Sequence, residues 1–358
     1  MFAIVPFVER GLERRVGIGP DTEKALRFCV FCHCCRPRLA FMLRNPSMAM
    51  DALSSYAMGV AIERSIMGPF RSFLFAPGNH PRKVEKVFDC GADAVILDLE
   101  DAVAKSEKVA TRSVIVEAMQ RPRSNLGYVR VNGHHTEFCY GDLVAVVGPG
   151  VDGIVLPMAE SAAQLQAVDW LIENLERERG LEPGRIDLIP IIETGKGVAA
   201  LDEIAGSGTR VRRMAFGAAD FALDMGFEWT AEEAELNDVR ARVALASRAN
   251  DIEPPLDTVW VQVQDLDGLR RAAERARSFG FQGKMCIYPP QVAVVHEVFS
   301  PSAEEVAHAE KVIAAFAEAE KAGSASIQLD GEFIDYPIVY KAQRVLEAAR
   351  KIGGTGAG

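Results

Sequence analysis

Long apolar runs are missing from this 358-residue sequence. None approaches the roughly 20 residues that a membrane-spanning helix needs. The start, MFAIVPFVERGLERR, has no basic region ahead of its short apolar stretch and meets an acid early, at Glu9, so it makes a poor secretion signal. Positive charge is also in short supply. With 40 Lys and Arg against 50 Asp and Glu the net charge is −10, which argues against nucleic acid or an anionic membrane as partner. Cysteines are seven, an odd number, at 29, 32, 34, 35, 90, 139 and 286, so a reduced cytoplasmic protein is expected rather than a disulfide scaffold.

Four of those cysteines crowd into FCVFCHCCRPR with His33, a set of zinc-type donors. The cluster has no second ligand pair downstream at finger spacing, and Cys34 beside Cys35 cannot easily aim both thiolates at one ion. Incidental cysteines in a leader are the reading adopted.

Familiar catalytic signatures are absent too. PGNHPRK after the first apolar run lacks the G-x-G-x-x-G spacing of a dinucleotide fold, and there is no G-x-x-x-x-G-K-[ST] loop and no serine elbow. A Schiff-base aldolase needs a lysine at a strand tip, whereas Lys284 begins its run. His134, His135 and His296 lie at no strand tip, which disfavours a CoA-independent 2-oxo acid aldolase with a histidine base beside a metal.

What is present is a rhythm. From Arg71 onward short apolar runs alternate with helical stretches: 72–77, 94–100, 128–132, 153–157, 188–192, 214–216, 258–263 and 284–289, each followed by a helix-like segment. The helices are expected at 81–90, 105–119, 136–147, 161–179 behind a Ser cap, 197–205, 231–250, 267–279 and 290–299. Eight apolar, non-alternating runs alternating with eight helices predict an eight-fold β/α (TIM) barrel over 71–300. Residues 1–70 show neither period and are expected to be a poorly ordered leader; the functional chain is expected to start at Met48, Met50, Met58 or Met67. Residues 301–358 exceed what a barrel needs. A helix at 303–322, a hairpin turning at Asp330 and Gly331, and a helix at 339–351 make a candidate lid or subunit contact.

The centre of the pattern is 187–220, where one apolar run ends on Glu193 and the next leads through Gly217 to Asp220. Two adjoining parallel strands that each deliver a carboxylate to the same end make a hard-oxygen site suited to Mg²⁺. The alternatives are that Glu193 caps the following helix and that Asp220 is a solvated loop residue. Other tips add Asp98, Glu100 and Asp101 after the second run and Arg130 with Asn132 on the third, one cation amid carboxylates.

The segments RSFLFAPGNHPRK, AVILDLEDAV, YVRVN, GIVLPMAES, IPIIETGKG, MAFGAADFALDMG, GKMCIYPPQV and LDGEFIDYP resemble, in order and spacing, the citrate lyase β-subunit and malyl-CoA lyase family of CoA-ester lyases, over residues 71–350. The resemblance implies a Mg²⁺-dependent barrel enzyme that reversibly cleaves a 3-hydroxyacyl-CoA, of malyl-CoA or citramalyl-CoA type, to an acyl-CoA and a small 2-oxo acid, glyoxylate or pyruvate. By motif, Glu193 and Asp220 would be the metal ligands, with Glu100 and Asp101 steadying metal-bound waters. Arg130 would hold the thioester oxygen and the developing enolate. Asp335 would be the acid/base at carbon, delivered by the lid of a neighbouring subunit in a homo-oligomer, a trimer or hexamer. Phe75, His80 and Lys86 would line the CoA channel; His80 stands where the family carries Arg, and Arg82 is the nearby cation for a phosphate. The citrate lyase side of the resemblance allows a β-type subunit acting on a citryl thioester of an acyl carrier protein.

Overall fold

The computed structural model describes residues 70–354, with side chains to Ile352. The expected leader (apart from Phe70), its cysteine cluster and the four candidate start methionines lie outside the described residues. Phe70 is buried and stacks on Phe73 with ring centroids 6.0 Å apart.

Eight parallel strands close into a barrel in chain order. In the first half β1 (Ser72–Pro77), β2 (Ala94–Asp98), β3 (Leu126–Arg130) and β4 (Gly153–Leu156) are followed by α1 (Pro81–Lys86), α2 (Lys108–Met119), α3 (Cys139–Val146) and α4 (Ala162–Glu178). In the second half β5 (Asp187–Ile192) leads to a broken pair, α5 (Gly195–Ala199) and α6 (Leu201–Ala205). Then come β6 (Ala215–Phe216), α7 (Ala218–Met225), α8 (Asn237–Ala249), β7 (Leu256–Asp257), α9 (Leu266–Ser278), β8 (Gly283–Cys286) and α10 (Gln291–Phe299). Strand residues divide between two cores by the period of 2. On β2, Ala94 and Ile96 pack with Phe73, Tyr128, Ile189 and Met285 inside the barrel, while Val95 and Leu97 pack against the helical layer. Both faces of the strands are therefore apolar, which is why the sequence shows runs rather than alternation.

Two expectations need correction. The seventh strand is Leu256–Asp257, not 258–263. Leu256 pairs with Ala215 and Gly283, and past Asp257 the chain leaves the sheet: Trp260 is buried as a loop anchor, donating its Nε1–H to the Asp265 carbonyl at 3.0 Å. The β-branched, aromatic character of 258–263 reflects burial without a ladder. The helix after the sixth strand is α7, and Asp220 sits in its first turn rather than at a strand tip. Ala218, Phe221 and Ala222 bury one face of this two-turn helix, and Gly226 at φ 69° ends it.

The tail folds as expected. Helix α11 (Ala303–Lys321) opens with a capping box between Ser302 and Glu305. The hairpin β9 (Ile327–Leu329) and β10 (Glu332–Ile334) turns at Asp330 and Gly331, both with positive φ, and α12 (Tyr336–Gly354) returns against α11. Val312, Phe316, Ile334 and Val339 form a core of their own.

A polar network fills the gap behind β7. Lys284 Nζ donates to Asp257 at 2.5 Å, Arg240 Nε to Asp257 at 2.9 Å, and Arg240 to Glu233 at 2.6 Å, all with side chains 0% exposed. Burial alone would raise the Asp257 carboxyl, and Lys284 and Arg240 more than reverse it, holding it below the usual carboxylate range. Its contribution to stability is present above the unfolded-state value of about 3.9 and is lost as pH falls through the lower folded value. Breaking this network by Lys284→Met is expected to cost about 3 kcal/mol, read by urea unfolding at neutral pH.

Candidate active site

At the carboxyl end of the barrel β2 and β3 lie in register with Asp98 beside Arg130, so both side chains leave the sheet on the same face. The guanidinium forks onto the carboxylate, Nε at 2.8 Å and Nη2 at 2.7 Å. Asp98 also accepts the backbone N–H groups of Glu100 at 2.9 Å and Ala102 at 3.0 Å. Burial works to raise its carboxyl, and Arg130 with these two amides pulls it below the ordinary range. The remaining nitrogen, Nη1, meets Glu100 at 3.0 Å and Asp101 at 3.6 Å. Phe75 of β1 lies under the guanidinium, 4.9 Å from ring centroid to carbon.

Glu193 follows the last residue of β5 and is 3% exposed. Thr194, not Glu193, caps α5: its hydroxyl accepts the Gly197 amide. The Glu193 carboxyl instead turns inward and takes a 2.7 Å hydrogen bond from the Met158 amide. Met158 holds this position in the left-handed region at φ 53°, a conformation that costs a residue with a Cβ on the order of 1 kcal/mol or more. Glu193 and Asp220 lie near enough for the Asp220 charge to push the Glu193 carboxyl up.

The site is a cluster of repelling acids. Burial, then Glu100 and Asp220, push the Glu193 carboxyl well above its ordinary value. Burial and the neighbouring acids push Glu100 up to about 8 against the pull of Arg130. Asp220 is raised as well, by burial and Asp101. Carboxylates packed this closely need a cation or protons between them. Among the described residues no group of three His, Cys, Asp or Glu side chains converges tightly enough to hold a metal by itself. Mg²⁺ fits such a set, because it takes one or two carboxylates and keeps waters in its other positions.

The other expected residues divide. Asp101 is exposed at the rim beside Glu100. Asn132 turns away, its amide donating to Asp142 at 2.6 Å and to the Leu99 carbonyl at 3.1 Å. His80 precedes α1 without capping it, and Lys86 is in that helix's last turn; both are exposed. Asp335 is half-buried between β10 and α12, and among the described residues no hydrogen bond or ion pair joins it to Arg130, Glu193 or Asp220. One pairing and one participant were not foreseen. Asp98 was visible only as a strand-tip acid, and its pairing needed the β2–β3 register; the Met158 amide carries no side-chain signal.

The model of the HpcH/HpaI aldolase/citrate lyase family matches residues 71–289. The chain belongs to that family. Among its curated members, citrate lyase subunit beta of Leuconostoc mesenteroides subsp. cremoris is 36% identical over 78% of this chain and 93% of its own. The L-malyl-CoA/beta-methylmalyl-CoA lyase of Cereibacter sphaeroides is 34% identical over 79% of this chain and 96% of its own. Among solved structures, CitE of Mycobacterium tuberculosis in complex with magnesium, acetoacetate and coenzyme A superposes with a TM-score of 0.65 at 30% identity, covering 78% of this chain and 97% of that one. Among the described residues no helix is long and apolar enough to cross a membrane.

Proposed function

We propose that the protein is a Mg²⁺-dependent CoA-ester lyase that reversibly cleaves a 3-hydroxyacyl-CoA of malyl-CoA or citramalyl-CoA type into an acyl-CoA and glyoxylate or pyruvate. The observation that carries the reading is one guanidinium, Arg130, forked onto Asp98 and paired with Glu100 in a cluster of acids with Glu193 and Asp220. The likeness to a malyl-CoA lyase and to a CitE holding magnesium and coenzyme A supports it. Glu193 and Asp220 would hold the ion, which supplies a Lewis acid that gathers the substrate's hydroxyl and carboxylate and lowers the hydroxyl pKa.

The chain's own residues then do the following. Asp98 locks one edge of Arg130, leaving Nη1 as the nitrogen turned toward Glu100 and the acids. In our reading this nitrogen neutralises the charge that moves onto the thioester oxygen as the C–C bond breaks, a preorganised contact. Glu100 and Asp101 would steady the waters of that ion. Phe75, backing Arg130, with His80 just before α1 and Lys86 in its last turn, forms the entrance for CoA.

Asp335 protonates the enolate carbon. It lies on the tail, with no polar contact to the barrel acids among the described residues, and the reading has it delivered by the tail of a neighbouring copy, which makes the tail a lid and the protein a homo-oligomer. Asp335→Asn is expected to leave Mg²⁺ affinity unchanged by calorimetry while turnover falls at least about 100-fold, the scale of losing a positioned acid/base.

The deciding experiment incubates the purified protein and Mg²⁺ with a panel of CoA thioesters and identifies the 2-oxo acid released. The likeness to citrate lyase subunit beta favours a second reading, a subunit that acts on an acyl-carrier-protein thioester. Inactivity on every CoA ester, with activity on the carrier-bound ester, would select it.

A further inference from the structure

We infer that Thr258 is a positioning residue for Asp220: from the loop that follows β7 it caps the first amide of α7 and so sets the affinity of the site for its divalent ion. The inference rests on the reading of Glu193 and Asp220 as the metal ligands.

A helix start leaves backbone N–H groups without partners, and an oxygen-bearing side chain at the N-cap position ordinarily satisfies one of them. Helix α7 has no such residue. Its N-cap is Gly217, which makes no side-chain capping bond. Nothing larger fits there, because a Cβ at Gly217 would stand 2.5 Å from Glu193 Oε2 and 2.9 Å from Glu193 Cβ. The close approach of Glu193 therefore excludes Ser, Thr, Asp and Asn from the position where they would cap.

Thr258 supplies an oxygen to this helix start from outside the helix, at its first amide. Its hydroxyl, in a side chain 1% exposed, accepts the Ala218 N–H at 2.9 Å. Ala218 is the first residue of α7, and Asp220 is in the same first turn. The Gly217 amide is separately spent on the Ile192 carbonyl at 3.0 Å, just before Glu193. These two bonds tie the start of α7 to β5 on one side and to the end of β7 on the other. Thr258 is itself firmly placed, since Asp257 before it is gripped by Lys284 and Arg240. The buried ion network behind the barrel thus reaches the site through one hydroxyl.

The test measures binding of Mn²⁺ alone, as a paramagnetic stand-in for Mg²⁺, by electron spin resonance, with thermal melts in parallel. Thr258→Val should weaken Mn²⁺ binding about tenfold, as loss of an outer partner of a metal ligand does, and Thr258→Ser, which keeps the oxygen, should stay within about twofold of the parent. Thr258→Ala removes the oxygen without placing a methyl against the amide and carries the same expectation should the valine variant not fold. As a control for general loosening, Ser247→Ala removes a hydroxyl bonded within α8 to the Val243 carbonyl and should lower the melting temperature without changing Mn²⁺ affinity. Parental Mn²⁺ affinity in Thr258→Ala, or an equal loss in Thr258→Ser, overturns the inference while leaving the ligands standing. Absence of Mn²⁺ binding by the parent protein overturns the ligand assignment, and the inference with it.

Discussion

Replacing Asp220 or Glu193 with Ala is expected to abolish Mg²⁺ dependence and turnover together, with kcat/KM falling on the order of 1000-fold or more, because the ion contributes several kcal/mol to the transition state. The two positions should differ in what else they do. Glu193 is 3% exposed and accepts the Met158 amide, so its removal leaves that N–H without a partner and loosens the backbone of the β4 loop. Asp220 is half-buried in the first turn of α7, and its removal relieves repulsion from Asp101 and takes away a charge that pushes the Glu193 carboxyl up. The Asp220 variant should therefore melt no lower than the parent in the absence of metal, while the Glu193 variant melts lower. Wild-type rates in Asp220→Ala, measured by release of the 2-oxo acid, would contradict the assignment.

Arg130→Lys is the second large effect. A lysine keeps one positive charge beside Asp98 but not the planar fork that engages both carboxylate oxygens and still presents a third nitrogen to Glu100. Loss of a preorganised donor to a developing oxyanion is worth roughly 100- to 1000-fold in kcat. The substitution should lower kcat far more than it raises KM, since the contact matters when the C–C bond breaks. Arg130→Ala is the poorer experiment: it abandons the buried carboxylate of Asp98 without a counter-charge, so lost folding and lost catalysis become confounded. A kcat for Arg130→Lys within a factor of about three of the parent would remove Arg130 from the chemistry.

How much of this was legible depends on what each residue's signal was made of. β1 was placed at 72–77 by SFLFAP because both of its faces are apolar and proline and glycine bound it. Glu193 was legible because a lone acid stands at the end of a five-residue apolar run, and Arg130 because a lone cation stands within YVRVN. Asp220 was found for a partly wrong reason. It was assigned to a strand tip, and it reaches the site through a two-turn helix too short to register against the longer periodic stretch downstream. The seventh strand was misplaced because TVWVQV carries every compositional mark of a strand while its residues spend their polar groups on loop contacts. Asp98 was seen, but its partnership with Arg130 is a matter of register between two chain segments, which composition does not encode.

The wall of the barrel is uneven. β6 and β7 have two residues each and share a single paired position, Ala215 with Leu256, whereas β1 and β2 pair over five. The cylinder therefore has a stave joint held by few main-chain bonds, and the hydroxyl bridge from Thr258 to the Ala218 amide is a rivet across it. Heating should part the molecule there first, so that the acid pair is scattered while most of the hoop is still closed, and the protein should forget its chemistry at a temperature below the one at which it forgets its shape.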